Sequence, residues 1–301
     1  MKSRGALVVA RNNPNIDYLK QAAFLAQRLD HYLNIPTSVI TDSPEWVVVN
    51  GYADIFDRII PIVWEDKESL PGKNVMARTS PHYTWENVRR YYDGVLSHKA
   101  LPFKNEARTS AYDATPYDET ILIDSDMFIM NDDYKHCFEQ DHNFLIYDKS
   151  YDLAGFRNPM EFKYISQPSI KFYWATVVFF RKSKENEIFF ELLKHIQDNW
   201  YHYRAIFQIP TALYRNDFAF SIAIHIMNGY EEGTFSMPMP GKLFFTADKD
   251  ILWDADRDRI NFLLEKEDYP GEYTICQWRN ENIHVMNKFS LERYIDKVLH
   301  V

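Results

Sequence analysis

The chain has 301 residues, 46% hydrophobic and 16% aromatic, enough apolar mass for a sizeable core in one large domain or two modest ones. A formal net charge of −9 opposes non-specific attraction to nucleic acid or an anionic membrane surface. No apolar run suits a membrane span or signal sequence, no stretch reads as a linker or repeat, and Cys137 and Cys276 are too few for a disulfide framework or a Cys-based metal site, so we expect one compact unit with reduced thiols in the cytoplasm.

In chain order, the run GALVVA (Gly5 to Ala10) suits a buried parallel strand. The loop RNNPN follows, with Asn13 a candidate helix cap and Pro14 fit for a first helical turn. Leu19, Ala22, Ala26, Leu29 and Leu33 then recur on one face of a helix, and IPTSVITD (Ile35 to Asp42) reads as a second strand. Strand, helix, strand implies a right-handed crossover and a parallel sheet, whose ligands bind beyond the carboxyl ends of the strands. The residues at those ends are Arg11, Asn12, Asn13, Thr41 and Asp42. Neither a GxGxxG fingerprint nor a P-loop occurs, which disfavours a classical dinucleotide enzyme or a P-loop ATPase.

Phe56 to Trp64 gives a further strand, and Tyr83 to Phe103 reads as helical, with Arg89, Arg90 and Lys99 as its cations. In TPYDETILIDSDMFIMND an apolar strand is broken by Asp124 and Asp126. Buried carboxylates are costly without a partner. Alternation places residues i and i+2 on one side, where two carboxylates can chelate Mn²⁺ or Mg²⁺ and bridge it to substrate phosphates. The bland alternative is a strand ending in a turn. A haloacid-dehalogenase phosphatase fits poorly, because Phe128 stands where that motif needs Thr or Val, and the pair is mid-chain.

Further on, Tyr173 to Gln197 reads as a strand and then a helix capped by Ser183, with Ile188, Leu192 and Ile196 on its apolar face. Asn216 is placed to cap another helix, and Asp217 suits its positive end. Rings in Phe162 to Trp174 and Trp200 to Arg204 suit core or a stacking platform. Lys163, Lys171, Arg181, Lys182 and Lys184 add local basic character, which keeps a nucleic-acid acceptor open.

The segment TPYDETILIDSDM resembles the Asp-x-Asp segment of the GT-A glycosyltransferases, especially glycogenin and its relatives. The resemblance implies a mixed, mostly parallel α/β sheet flanked by helices, forming a single domain. Residues of about 1–135 would form its nucleotide-sugar half, and about 136–301 its acceptor half and C-terminal metal and diphosphate segment. It implies donor contacts from Ala10, Arg11, Asn12, Asn13, Tyr18 (against the base), Thr41, Asp42, Lys99 and Ser125. ENIHVMNKFS resembles the family's C-terminal segment, which makes His284 the third metal ligand and Lys288 a diphosphate contact. YRNDFAF resembles a family helix start that brings Asp217 to the reacting centre, as general base if the enzyme inverts. Trp174-Ala175-Thr176 stands where relatives enter the strand beside the sugar.

The implied reaction moves a sugar, with retention, from a nucleoside-diphosphate donor such as a UDP-sugar to a hydroxyl, using Mn²⁺ or Mg²⁺. The acceptor stays open among a glycan, a small molecule such as a lipid-linked sugar, a protein and a hydroxymethylated base of phage DNA. Two other readings remain. A sugar-phosphate nucleotidyltransferase would normally carry a Gly-rich N-terminal loop, and a non-catalytic nucleotide-sugar-binding module would turn over no donor.

Overall fold

A computed structural model describes residues 2–62, 88–92, 98–102, 104, 106–153, 162–166, 169–210, 213–246, 248–266 and 268–299. Strand β1 (Arg4–Val9) leads through helix α1 (Tyr18–Leu33) to β2 (Thr37–Thr41), with which it pairs in parallel. All five apolar residues of the expected α1 face are buried. Asn13 is not the cap. Its Oδ1 accepts from the Asn15 and Ile16 N–H groups at 3.0 Å each, closing a local turn. Asp17 caps the helix instead, accepting from Lys20 N–H at 3.0 Å. Asn and Asp side chains close turns and caps alike, so an Asn ahead of a helix is no sure mark of its first turn.

After β2 come α2 (Pro44–Val49) and β3 (Ile59–Pro61), which is shorter than the strand expected over Phe56 to Trp64: of the described residues 56–62, only these three are strand. The helix expected from Tyr83 to Phe103 is not found. Its described residues form an antiparallel pair, β4 (Val88–Tyr92) with β5 (His98–Pro102), and the rest of that stretch lies outside them. Val88, Tyr91 and Tyr92 are of types that favour strands.

Helix α3 (Ala111–Ala114) precedes β6 (Glu119–Ile123), which lies beside β1 in parallel. A short β7 (Met127–Phe128) follows, then β8 (Phe144–Tyr147), β9 (Ser150–Asp152) and β10 (Trp174–Arg181). The central sheet runs β3-β2-β1-β6-β10-β8, with its first four strands parallel and β10 antiparallel to both neighbours. This is the mixed, mostly parallel sheet flanked by helices that was expected.

Helix α4 (Lys184–Asp198) is capped by Ser183, which accepts from Asn186 N–H at 3.2 Å. Its buried face differs from the one expected. Ile196 enters the core as expected and Leu192 packs against it half-buried, but Ile188 is exposed and Phe189, Phe190 and Leu193 fill the face, because the two adjacent phenylalanines offer more apolar surface than one isoleucine. Helices α5 (Trp200–Ile206) and α6 (Asn216–Met227) complete that side, and Phe172, Trp174 and Trp200 are core rings.

The chain closes with β11 (Leu243–Thr246), β12 (Leu252–Asp256), β13 (Arg259–Lys266), β14 (Tyr269–Arg279), β15 (Ile283–Val285) and α7 (Lys288–Leu299). Strands β7-β15-β11-β9 form a second sheet, and β12-β13-β14 a third. Phe128, Ile260, Phe262, Ile283, Leu291 and Ile295 share a separate core beneath them. Both cysteines are free thiols. Among the described residues no helix is long and apolar enough to cross a membrane.

Candidate active site

Strand β6 ends at Ile123, and the next residues form a tight turn rather than more strand. The Asp124 N–H donates to the Thr176 carbonyl at 3.0 Å, and the Met127 N–H returns to the Asp124 carbonyl at 3.2 Å. The expected strand alternation is therefore not what gathers the two carboxylates. A turn with Ser125 and Asp126 at its corners does so.

Strand β15 brings the third group. His284 stands opposite Met127 in the β7–β15 ladder, and the Val285 N–H donates to the Asp126 carbonyl at 3.0 Å. The imidazole Nε2 of His284 lies 2.7 Å from Asp126 Oδ2. Ligand atoms of Asp124, Asp126 and His284 all fall within 4.8 Å of one another. Two carboxylates and one imidazole nitrogen form a donor set able to hold a divalent metal ion. Asp126 is 3% exposed, so its charge needs a cationic partner.

These groups open into a cleft of about 280 Å³ at the carboxyl ends of β1 and β6. Of the residues named from the sequence, Arg11, Tyr18, Ser125 and Asp217 line it together with the triad and Lys288. The start of β10, Trp174-Ala175-Thr176, forms one wall. Lys288 is the first residue of α7, and its Nζ donates to Asp126 Oδ2. Asn287 holds that helix start, with Oδ1 accepting from Ser290 N–H at 2.9 Å and Nδ2 donating to the Asp248 carbonyl at 2.7 Å. The N-termini of α6 and α7 both reach the cleft, an arrangement favourable to anions.

Other predicted residues stand behind the lining. Ala10 is buried, its N–H bonded to the Ile40 carbonyl at 2.9 Å. Asn12 accepts from Leu19 N–H and donates to Asp17, both at 3.0 Å, and so fixes the loop to α1. Asn13 closes its own turn. Thr41 is buried and accepts from Ser43 N–H at 3.1 Å. Asp42 accepts from Arg11 Nε and Lys104 Nζ, each at 3.2 Å. Lys99 lies on β5 with its ammonium 5.2 Å from the Phe289 ring centre, and it is not among the residues lining the cleft.

The sequence reading missed four charged lining residues: Lys104, Arg108, Arg215 and Asp248. Arg108 is central. Its Nη1 donates to Asp124 Oδ1, and its Nη2 reaches the carbonyls of Leu122 at 3.4 Å, Ala175 and Thr176 at 3.1 Å. Its place sixteen residues before Asp124, in a short turn with no motif, gave little signal. Asp217 is held on both oxygens. Oδ1 accepts from Ala175 N–H at 2.9 Å, and Oδ2 from Arg215 Nη2 at 2.7 Å. Asn216 is the first residue of α6, and Arg215 takes the cap position expected for it.

Three cations of the local basic run are engaged in ion pairs among the described residues. Arg181 is buried against Glu119, Lys171 pairs with Asp148, and Lys184 pairs with Glu187.

No family model and no curated protein matches this sequence. Among solved structures, it resembles the apo-form glycosyltransferase GlyE of Streptococcus pneumoniae TIGR4 at 13% identity, covering 78% of this chain with a TM-score of 0.38. The chain spans 45% of the length of GlyE. An active-site mutant of LgtC is 11% identical over 80% of this chain and 75% of that one, with a TM-score of 0.44. Mouse xyloside xylosyltransferase 1 is 10% identical over 78% and 84%, with a TM-score of 0.41. A 4-diphosphocytidyl-2C-methyl-D-erythritol synthase from Anaerococcus prevotii is 7% identical over 79% and 86%, with a TM-score of 0.36. The chemistry is read from the cleft itself.

Proposed function

We propose that the protein is a divalent-metal-dependent glycosyltransferase moving a sugar from a nucleoside diphosphate, a UDP-sugar first among the candidates, to an acceptor hydroxyl with retention. The observation that carries this reading is the convergence of Asp124, Asp126 and His284 within 4.8 Å at the carboxyl end of a parallel sheet. Arg11, Lys104, Arg108 and Lys288 surround that point with positive charge. A diphosphate bearing a sugar is a ligand whose charge and length suit such a cleft.

Asp124, Asp126 and His284 would hold the metal. When bound, it would act as a Lewis acid on charge developing at the departing diphosphate. Arg108 and Lys288 add positive charge at the same place, where their burial from water strengthens it. Tyr18, at the start of α1, offers a ring face to the base. Asp217 acts through position: it is tied to Ala175 and Arg215, and its remaining lone pairs can accept from a sugar hydroxyl.

The test is a screen of sugar nucleotides for release of nucleoside diphosphate, with Mn²⁺ and with excess chelator. Turnover should require metal and fall by about 10³-fold or more in Asp126→Ala, consistent with the loss of a group that organises transition-state charge. Undiminished turnover in chelator or in Asp126→Ala sinks the metal assignment. Pyrophosphate release from a nucleoside triphosphate and a sugar phosphate would make the enzyme a nucleotidyltransferase. Nuclear magnetic resonance of the product reads the anomeric outcome.

A further inference from the structure

Each carboxylate of the candidate metal site already faces a cationic side chain of this chain. Lys288 Nζ sits on Asp126 Oδ2, with the two side chains only 7% and 4% exposed. Arg108 Nη1 sits on Asp124 Oδ1. Two negative and two positive side chains cancel. A divalent cation entering by itself would bring a double positive charge into this partly buried cluster, and would compete with Lys288 for Asp126. Uncompensated buried charge is strongly disfavoured. A metal arriving with a diphosphate adds charges that offset one another.

The two cations differ in the side chain that carries the charge. Arg108 is anchored by the carbonyls of Leu122, Ala175 and Thr176, so its guanidinium has a fixed place. Lys288 carries its charge on a flexible four-carbon stem, and the cap of α7 is made by Asn287 rather than by the lysine. Its ammonium can therefore swing without unwinding the helix. It also shares Asp126 Oδ2 with His284 Nε2, so it stands against an oxygen a metal would need.

We propose that Lys288 is an internal stand-in for the metal on Asp126, and that it passes from this carboxylate to the diphosphate as metal and diphosphate bind. Metal affinity is then low for the protein alone and rises when a diphosphate is present. By linkage, metal raises the affinity for diphosphate by the same factor. This inference rests on the metal and diphosphate assignment proposed above.

The experiment titrates Mn²⁺ into wild type, Lys288→Met, Lys288→Arg and Asp126→Asn, following free Mn²⁺ by electron paramagnetic resonance. Each titration is run without and with inorganic pyrophosphate, referenced to the Mn²⁺–pyrophosphate complex in buffer. Thermal melts by circular dichroism establish that each variant is folded. Lys288→Met should bind Mn²⁺ alone about tenfold or more tightly than wild type, the scale of a close buried charge pair. Lys288→Arg, which keeps the charge, should bind it weakly like wild type. Pyrophosphate should tighten Mn²⁺ binding by a larger factor in wild type than in Lys288→Met, and Asp126→Asn should lose tight binding throughout. Equal Mn²⁺ affinity in wild type and Lys288→Met overturns the inference and leaves the metal site standing. Failure of both folded wild type and folded Lys288→Met to bind Mn²⁺, with pyrophosphate present, overturns both.

Discussion

Replacing Arg181 by Met should destabilise the fold most at neutral pH. Glu119, at the first position of β6, is almost wholly buried and accepts from Arg181 Nε at 2.8 Å and Arg4 Nε at 2.7 Å. Arg181 also donates to the carbonyls of His142 at 2.7 Å and Gln140 at 2.6 Å, tying β10 to the segment before β8. Removing one member of a buried pair costs about 3–5 kcal/mol. Arg4 remains on Glu119, so the low end, about 3 kcal/mol, applies. For a chain of this size that corresponds to a fall of about 5 °C in Tm if unfolding is two-state. Burial alone would raise the Glu119 carboxyl, but the bonds from Arg181 and Arg4 outweigh it and hold the group below the usual carboxylate range. A depressed carboxyl contributes stability that is full above the usual range and is lost as pH falls through it to the folded value. In the variant, burial is opposed by fewer bonds and Glu119 protonates at higher pH. The gap between the two proteins should therefore be widest near neutrality and narrow in acid. Urea melts across that range read it. A gap under about 1 kcal/mol at neutral pH, the size of a surface pair, or one that does not change with pH, would refute the reasoning.

A methyl at Gly5 would run into the Tyr117 ring, whose hydroxyl is bonded to Ser38 at 2.8 Å and donates to Asp57 at 3.1 Å, so Gly5→Ala should lower stability by about 1–3 kcal/mol in denaturant melts. Phe189→Ala should cost about 3–5 kcal/mol, whereas Ile188→Glu on the exposed neighbour should stay within about 0.5 kcal/mol by the same melts. Asp217→Ala should slow donor turnover by about 10²-fold in steady-state kinetics and, by leaving the buried Ala175 N–H without its acceptor, lower stability by about 1–3 kcal/mol in melts.

The parts of the fold legible in the sequence are those where one physical signal dominates. The unbroken apolar run of β1 and the helical spacing of Leu19 to Leu33 admit few alternatives. Asp124 and Asp126 stood out because carboxylates interrupt an apolar strand, yet His284 lies 158 residues from Asp126 and was reached through resemblance rather than spacing. Where signals competed, the reading failed. Tyr83 to Phe103 carries helix-compatible apolar residues as well as strand-forming ones. Arg108 carries no local pattern, since it acts through carbonyls supplied by β6 and β10. The β12-β13-β14 sheet went unread, although Ile260, Phe262 and Leu264 alternate cleanly along β13.

The assembly of the triad depends on one short ladder. Strand β7 has two residues, so its pairing with β15 is weakly fixed by backbone bonds alone. Side chains supply what the ladder lacks. Asn282 Oδ1 accepts from the Met130 N–H at 2.8 Å and the Asn131 N–H at 3.1 Å, clamping the residues after β7 to the start of β15. From α1, the Arg28 guanidinium donates to the Ile129 carbonyl at 2.5 Å and lies 4.2 Å from the Phe128 ring centre. A one-residue slip would turn His284 to the other face of the sheet and present Ile283 or Val285 to Asp126, with no ligand atom to offer. Asn282 and Arg28 touch neither carboxylate, yet they fix which side chain of β15 meets the turn. The metal chemistry of the cleft is thus set by register as much as by the identity of its three ligands.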